Sequence, residues 1–193
     1  MSLARQLLVA CLLFCAPAAG RELLFNGDFE LPPLEGWHDS AWGEFADTGN
    51  CRLRHWHDFH PDLDYEVMVH KMLHQGYALY QQVTMPTLDL GFSVDCRLTS
   101  KTENLAYYAA AAVCLEYRDR EDSVLGETRI FSATTGHPWR STPTLHLIGA
   151  PDSLNWHSYR FNIAEELTNL PGVDPGEVHA VRVVLLSYVD GNG

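Results

Sequence analysis

Four aromatic residues on polar faces or in loops could stack against a sugar ring. A sugar ring presents an apolar face of C–H groups, and its hydroxyl groups need planar hydrogen-bond partners next to the aromatic ring. Tryptophan is also common in protein cores, where Trp37 and Trp156 are expected. The aromatic candidates for glycan contact are Trp42, Trp56, Tyr108 and Trp139, and their candidate polar partners are Gln82, Glu116 and Arg118.

A second group of side chains, in segment 55–64, has metal-binding chemistry. His55 and His57 share one face of a predicted strand, and His60, Asp62 and Asp64 follow it. Imidazoles at i and i+2 with nearby carboxylates can bind zinc or copper. This spacing alone does not make three or four ligands converge, and half-exposed histidines are common in β-sandwiches. Both readings stay open, and the non-metal reading is preferred.

Two carboxylate–arginine pairs could act as acid, base and charge clamp in a polysaccharide lyase or hydrolase. Glu116 and Arg118 alternate on one predicted strand, and Asp95 and Arg97 alternate on another. The same pairs are compatible with ion pairs between strands. The sequence contains no nucleophile elbow, zinc-protease motif or phosphate loop, so nothing in it points positively to catalysis.

The elements that must position these residues are almost all strands. Apolar and polar residues alternate with a period of two, and clusters of Gly, Pro and Asp interrupt the runs. One short helix is predicted at 163–169, with Asn162 as its N-cap. We therefore predict an all-β fold, an antiparallel β-sandwich of the jelly-roll type. The predicted strands are 51–57, 65–72, 77–85, 88–99, 107–118, 128–133, 156–163 and 178–189.

Residues 1–20 read as a secretory signal peptide. Arg5 gives a positive start, an apolar run follows, and 16–19 offer a small-residue cleavage site. In an alternative interpretation, 8–11 form a lipoprotein signal that lipidates Cys11. Residues 21–193 have the size of one domain. We expect a secreted protein, periplasmic or extracellular.

The composition argues against two classes of partner. The formal net charge of −12 argues against nucleic acid, because phosphate needs positive charge to offset it. No second long apolar run follows the signal, which predicts no membrane insertion. The same composition suits an exported soluble domain or one that binds cations.

Three cysteines follow the predicted signal: Cys51, Cys96 and Cys114. In an oxidising compartment one pair could form a disulfide, and the sequence does not choose the pair. Cys96 and Cys114 lie in apolar strand patterns and could equally be buried thiols. Since there is no CxxC pair, a cysteine zinc site is not expected.

The segment 23–37 raises a question of local structure. Asn26-Gly27 is typical of a tight hairpin turn, but Pro32-Pro33 cuts the second strand short. We therefore predict a sandwich corner, with Phe29 anchored inward and Glu30 offered to a cation.

Taken together, several segments resemble the galactose-binding-like β-sandwich. More narrowly, they resemble the calcium-containing carbohydrate-binding modules that are appended to xylanases and cellulases. The resemblance covers most of 23–189, and it implies a non-catalytic carbohydrate-binding role. The segments that carry it are 26–30, 36–37, 77–83, 90–94, 156–161 and 181–185.

The resemblance also implies a structural calcium ion. In that family the glutamate of the first motif is a calcium ligand, which corresponds to Glu30 here. The loop 46–50, including Asn50, could supply further oxygens. Such modules end in one more strand that carries an aspartate ligand, whereas this chain stops at 190–193, a turn sequence. We therefore expect that the last strand is missing here and that the natural chain could continue.

These observations lead to three candidate functions. The first is a secreted, non-catalytic carbohydrate-binding module, either alone or as part of a larger extracellular protein that binds a polysaccharide or glycan. The second is a cell-surface adhesion or structural β-sandwich without sugar binding. The third is a jelly-roll polysaccharide lyase or hydrolase.

Overall fold

The computed structural model describes residues 22–43, 49–55, 65–72, 74–102 and 106–190. Within these ranges the chain forms strands and one short helix, α1 (Ile163–Glu166), which continues into a 3₁₀ turn, Leu167–Asn169. No helix in the described part of the chain is long and apolar enough to cross a bilayer. The strands are β1 (His38–Ala41), β2 (Gly49–His55), β3 (Tyr65–Lys71), β4 (Gln75–Thr84), β5 (Gly91–Cys96), β6 (Ala109–Arg118), β7 (Val124–Ala133), β8 (Leu145–Gly149), β9 (His157–Asn162) and β10 (Ala180–Val189).

The strands form two layers, which confirms the predicted all-β sandwich. One layer is a six-stranded sheet in the order β1-β4-β10-β6-β7-β8. The other layer consists of two separate two-stranded sheets, β2-β3 and β5-β9. Every neighbouring pair is antiparallel except β7 and β8, which run parallel. The six-stranded sheet is therefore mixed at one edge, where the sequence predicted only antiparallel pairing.

The hydrophobic core lies between the two layers. From the six-stranded sheet, Leu79, Leu115 and Val183 are fully buried, and Phe92 and Val94 of β5 face them from the other layer. Alternate residues of each strand supply this core, because successive side chains of a strand point to opposite faces. The period-two pattern of the sequence therefore corresponds to a core-facing and an outward-facing side in these strands.

The predicted strands correspond to β2 to β7, β9 and β10, with shifted ends. Strands β1 and β8 were not predicted. All four residues of β1 are exposed and show no alternation, and the strand exists because it pairs with β4. The residues of β8 are half-buried on both faces until its exposed last residue, Gly149, so this strand also lacks the alternation that marks a strand in sequence.

The predicted helix and the predicted cap are both confirmed. The side-chain oxygen of Asn162 accepts hydrogen bonds from the backbone N–H groups of Ala164 and Glu165, which have no partner inside the helix. Cys51, Cys96 and Cys114 are free thiols, so no disulfide links them. Cys96 and Cys114 are buried, as the thiol interpretation predicted.

Candidate functional site

The six-stranded sheet has an inner face against the core and an outer face turned away from it. The register of β4, β10, β6 and β7 determines which residues share the outer face. Two adjacent rows of this face are Tyr80–Val184–Cys114–Arg129 and Gln82–Arg182–Glu116–Glu127. We call the outer face the platform; its principal side chains are Trp42, Tyr80, Gln82, Tyr108, Glu116, Arg118, Arg129, Trp139, Arg182 and Tyr188.

Small residues form the middle of the platform. Ala78, Ala112, Cys114 and Val184 are buried there, although they lie on the side of the sheet away from the main core. Tyr80, Phe131, Trp139 and Leu186 pack around them and cover them in part. The result is a low floor bordered by larger side chains, which suits a ligand that lies flat.

Trp42 lies across one end of this floor. Its backbone N–H donates to the carbonyl oxygen of Gly76 (3.0 Å), which extends the pairing of β1 with β4 by one residue. A Cβ atom at Gly76 would meet Cζ2 of Trp42 at 2.0 Å, so the indole ring rests on the sheet only because this residue is glycine. The Trp42 side chain remains accessible, with an exposed fraction of 38%.

Tyr108 and Tyr188 form a stacked pair at the same end of the platform. Their ring centroids are 5.6 Å apart, and Tyr188 shares a register row with Gly76. Burial and a hydrogen bond with Tyr188 raise the pKa of Tyr108 to about 12, so its phenol is neutral near pH 7. Neutral phenols can donate hydrogen bonds to a sugar hydroxyl group and accept them from it.

Trp139 borders the platform on the β7 side. The guanidinium of Arg129 lies 4.2 Å from the centre of its indole ring, and Phe131 contacts the same ring edge-on. Arg129 also donates two hydrogen bonds to the Glu127 carboxylate, at 2.7 and 2.8 Å. The Trp139 ring is therefore held in one orientation by packing and by a cation–π contact.

A polar network fills the other end of the platform. Arg118 is buried and donates to the carboxylates of Glu116 (2.6 Å) and Asp122 (3.0 Å). Arg182 donates to Gln82 Oε1 (3.0 Å) and to Asp122 (3.1 Å), and its guanidinium lies 5.1 Å from the Tyr80 ring centre. The ends of Gln82 and Arg182 are thus fixed next to an aromatic ring.

Charges within this network stabilise one another. Burial alone would lower the pKa of Arg118, but Glu116 and then Asp122 raise it above its ordinary value. The Gln82 hydrogen bond, together with Arg118 and Arg182, holds the pKa of Asp122 below its ordinary value. These polar groups are therefore oriented before any ligand arrives.

Six of the seven residues predicted for glycan contact lie on the platform: Trp42, Gln82, Tyr108, Glu116, Arg118 and Trp139. The seventh, Trp56, lies outside the described residues, as do His57, His60, Asp62 and Asp64 and the side chain of His55. Among the side chains that the structure does describe, no group of three or more metal-ligating residues converges.

The sequence did not single out Tyr80, Asp122, Arg129, Arg182 and Tyr188 as site residues. A signal exists for Arg182, the one charged residue in an otherwise apolar strand stretch, 180–186. Tyr80 lies two positions from Gln82 and so shares its face. Asp122 adopts a positive φ of 66° in the turn after β6, which cannot be read from its residue type alone.

The predicted calcium ligands do not lie together. Glu30 Oε1 accepts the backbone N–H of Tyr65 (3.3 Å) at the start of β3, whereas Asn50 is paired with His70 towards its other end. Five residue steps along a strand correspond to about 16 Å, so Glu30 and Asn50 cannot bind the same ion.

The N-terminal corner is closed by side-chain amides. The predicted corner exists, and Phe29 is fully buried within it. The Asn26 side chain donates to backbone carbonyls of 31, 32 and 35, and the Trp37 indole donates to those of 25 and 26. Gln81 Nε2 donates to the carbonyls of Phe25 (2.9 Å) and Gly36 (2.6 Å). A cation at this corner would have to compete with these N–H groups for the carbonyl oxygens.

Asp95 and Arg97 do not join Glu116 and Arg118. They lie on or just after β5, in the other layer of the sandwich, where the guanidinium of Arg97 lies 5.9 Å from the Trp156 ring centre. Glu116 and Arg118 pair with each other along one strand rather than across two. The two pairs considered for catalysis therefore belong to separate surfaces.

No protein-family model matches this chain, and no curated protein matches it. Among solved structures it is similar to a family 11 carbohydrate-binding module from Clostridium thermocellum, solved with a β-1,3-1,4-mixed-linked tetrasaccharide. That likeness has 9% sequence identity and a TM-score of 0.35, and it covers 82% of this chain and 87% of that one. A second likeness is to carbohydrate-binding modules of the β-sandwich superfamily, described as promiscuous in specificity, with 8% identity, a TM-score of 0.29 and coverage of 83% and 53%.

Proposed function

We propose that the chain is a secreted, non-catalytic carbohydrate-binding β-sandwich and that the platform is its glycan-binding surface. One observation carries this proposal: accessible aromatic rings and pre-oriented polar groups share one face of the six-stranded sheet, around a floor of small residues. Aromatic rings would stack on the C–H faces of sugar residues. Gln82, Glu116 and Arg182 would hydrogen-bond the hydroxyl groups at the other end.

The charges on the platform favour a neutral glycan. Its three arginines face three carboxylates, those of Glu116, Asp122 and Glu127, so the platform carries no formal excess of either sign. The whole chain is acidic, with a net charge of −12, which disfavours polyanionic glycans at longer range. We therefore infer an uncharged polysaccharide as the ligand class.

The ion pairs also bear on the proposed absence of catalysis. Glu116 is the carboxylate closest to the centre of the platform, and it already accepts a hydrogen bond from Arg118. Glu116 is better suited to positioning a hydroxyl group than to proton transfer.

Affinity electrophoresis and titration calorimetry with a panel of soluble neutral polysaccharides test this function. We expect retention of the wild-type chain on at least one polysaccharide, and a loss of affinity of about tenfold or more for Trp42→Ala and for Trp139→Ala. Phe25→Ala is the matched control, because Phe25 is also an exposed aromatic residue (57%) but lies at the N-terminal corner, away from the platform.

Two results would overturn the proposal. One is the absence of retention on every polysaccharide tested. The other is equal loss of affinity for Phe25→Ala and the two platform variants. Turnover of a polysaccharide by the purified chain would instead contradict the non-catalytic part alone.

Calcium binding at Glu30 stays a prediction, now without Asn50 as a partner ligand. If calcium binds there, the melting temperature should rise when calcium replaces a chelator, because a ligand that binds only the folded state stabilises it. Glu30→Gln should abolish that rise. Identical melting curves of the wild-type chain in calcium and in chelator would refute the prediction of a calcium site at Glu30.

A further inference from the structure

A cleft of about 690 Å³ lies between the two layers of the sandwich. Its floor is the inner face of β6 and β10, and its opposite side is formed by β3 and by β5 with the residues that follow it. Strands β3 and β5 belong to separate two-stranded sheets, with no hydrogen-bonded pairing between them in the described ranges, so the second layer is open there. The volume of the cleft is typical of small-molecule sites.

The floor of the cleft is accessible at one small residue of each strand. Ala111 of β6 and Ser187 of β10 lie opposite each other in the register, and both are half-buried. The inner-face residues before and after them in the two strands are buried: Ala109, Val113, Leu185 and Val189. The opening is therefore local. It exists because two small side chains do not fill the space of about 10 Å between packed sheets.

The hydroxyl group of Ser187 is the polar side-chain group that this floor offers to a ligand. The two other hydroxyl groups of the same register row already have partners. Tyr77 donates to Asp39 Oδ2 (2.7 Å), and the hydroxyl oxygens of Ser132 and Ser100 are 3.1 Å apart. Ser187 makes no side-chain hydrogen bond within the described part of the chain. The backbone groups of β6 and β10 pair with strands on both sides, so among the floor residues only Ser187 can hydrogen-bond a ligand.

Apolar contacts are available on both sides of the cleft. Val67 and Val69 of β3 are half-buried on the opposite side and pack against the core, as Ala111 does on the floor. These side chains retain some exposure, so a ligand can touch them. An apolar molecule that lies between them gains free energy by leaving water.

The floor carries no formal charge. Its residues, 109–113 and 185–189, include no acidic or basic side chain, and the charged residues of the lining all come from β2, β3 and 95–101 on the opposite side. A charged group held against the floor would leave water without a partner there, which is costly. We therefore expect that the group in contact with Ser187 is uncharged.

We propose that the cleft binds an uncharged, largely apolar small molecule that carries one hydroxyl or carbonyl oxygen. That oxygen atom hydrogen-bonds to the Ser187 hydroxyl group, which can donate to a carbonyl oxygen and accept from a hydroxyl group. The apolar part lies against Ala111, Val67 and Val69. The site is distinct from the platform, because Ser187 and Tyr188 are consecutive residues of β10 and point to opposite faces of the sheet.

Benzyl alcohol, toluene, benzylamine and benzoate are a matched set of probes for the full chain, because they share one ring and differ in one substituent. By NMR titration we expect saturable shifts of the Ala111 and Ser187 amide signals with benzyl alcohol. In Ser187→Ala, the affinity for benzyl alcohol relative to toluene should fall about fivefold or more, because the hydroxyl group is then buried without a partner. Ser158→Ala is the control and should leave this ratio unchanged, because Ser158 is an exposed serine of β9 outside the cleft.

A second variant tests where the apolar part lies. Ala111→Leu fills the space above the floor and should weaken binding of benzyl alcohol and of toluene to a similar extent. Four results would each overturn the proposal: no saturable binding of benzyl alcohol, an unchanged affinity ratio in Ser187→Ala, unchanged affinity in Ala111→Leu, or tighter binding of benzylamine or benzoate than of benzyl alcohol.

Polysaccharide retention separates this site from the platform. Ser187→Ala should be retained by a polysaccharide as strongly as the wild-type chain. A chain that binds benzyl alcohol but no polysaccharide would refute the platform proposal alone, and the reverse result would refute the cleft proposal alone.

Discussion

Two consecutive glutamines on β4 point to opposite faces of the same sheet, and their surroundings differ in every respect. Gln81 is 6% exposed on the inner face, and its amide makes three hydrogen bonds with the backbone of the N-terminal corner. Gln82 is exposed on the outer face, where it accepts a hydrogen bond from Arg182 and also hydrogen-bonds the Asp122 side chain. The residue type therefore does not determine the role of these two glutamines. The Gln81 amide stabilises the N-terminal corner, whereas the Gln82 amide lies at the surface, where a ligand can contact it.

The two faces differ in the same way as a whole. On the inner face, polar groups are buried and bond to one another. For example, Thr128 is fully buried, and its hydroxyl group donates to the buried carboxylate of Glu166. On the platform, Arg182 and Glu116 are half-buried, and their partners are other charged side chains at the surface. Buried polar groups contribute to stability only while all their hydrogen-bond partners are present. Polar groups at the surface can exchange a hydrogen-bond partner for water or for a sugar hydroxyl group.

The largest predicted effect separates the two glutamines directly. Gln81→Leu should lower the free energy of unfolding by about 2–4 kcal/mol, because it removes the partner of the Phe25 N–H group and of the Gly36 carbonyl oxygen, and one of the two donors to the Phe25 carbonyl oxygen. Gln82→Leu should change it by less than about 0.5 kcal/mol, and weaken polysaccharide binding instead. Urea denaturation of both variants checks this, and equal destabilisation would refute the distinction between the faces.

A glycine substitution on the platform should have an intermediate effect. Gly76→Ala places a Cβ atom 2.0 Å from the Trp42 ring and should displace the ring from the sheet. We expect a loss of roughly 1–3 kcal/mol of stability together with reduced polysaccharide affinity. Gly149→Ala is the control, because the nearest atom to its added Cβ lies at 4.0 Å. Unchanged affinity in Gly76→Ala would show that the position of Trp42 on the floor is unimportant for binding.

The smallest predicted effect concerns the pH dependence of the platform network. The pKa of Asp122 is lowered in the folded state from 3.8, so its stabilising contribution is complete above that pH and is lost as the pH falls through the lower folded value. Asp122→Asn removes the charge and keeps a residue that tolerates the positive φ. The small difference in melting temperature between wild type and variant should shrink below pH 3.8. A difference that stays constant down to the lowest accessible pH would contradict this assignment.

Much of the fold could be predicted from the sequence because a half-buried strand shows alternating apolar and polar residues in its own segment. Alternation identified eight strands, and Asn162 identified the start of the helix. The strands that were missed, β1 and β8, are edge strands whose residues do not alternate between buried and exposed. Such strands form because a neighbouring strand offers hydrogen bonds, a cause that lies outside their own residues.

By itself, the sequence determined the all-β class, the alternation of faces and the supply of aromatic and polar residues for a possible glycan site. Only the tertiary structure decided that these residues meet. Gln82 and Arg182 are separated by 100 positions, and they touch because β10 pairs between β4 and β6. Trp42 reaches the platform because β1 pairs with β4. Glu30 and Asn50 are kept apart because the Glu30 carboxylate contacts one end of the β2-β3 sheet, whereas Asn50 lies towards its other end. Local periodicity specifies which face a side chain takes, but it does not specify which distant strand becomes its neighbour, since that choice follows from the packing of the whole core.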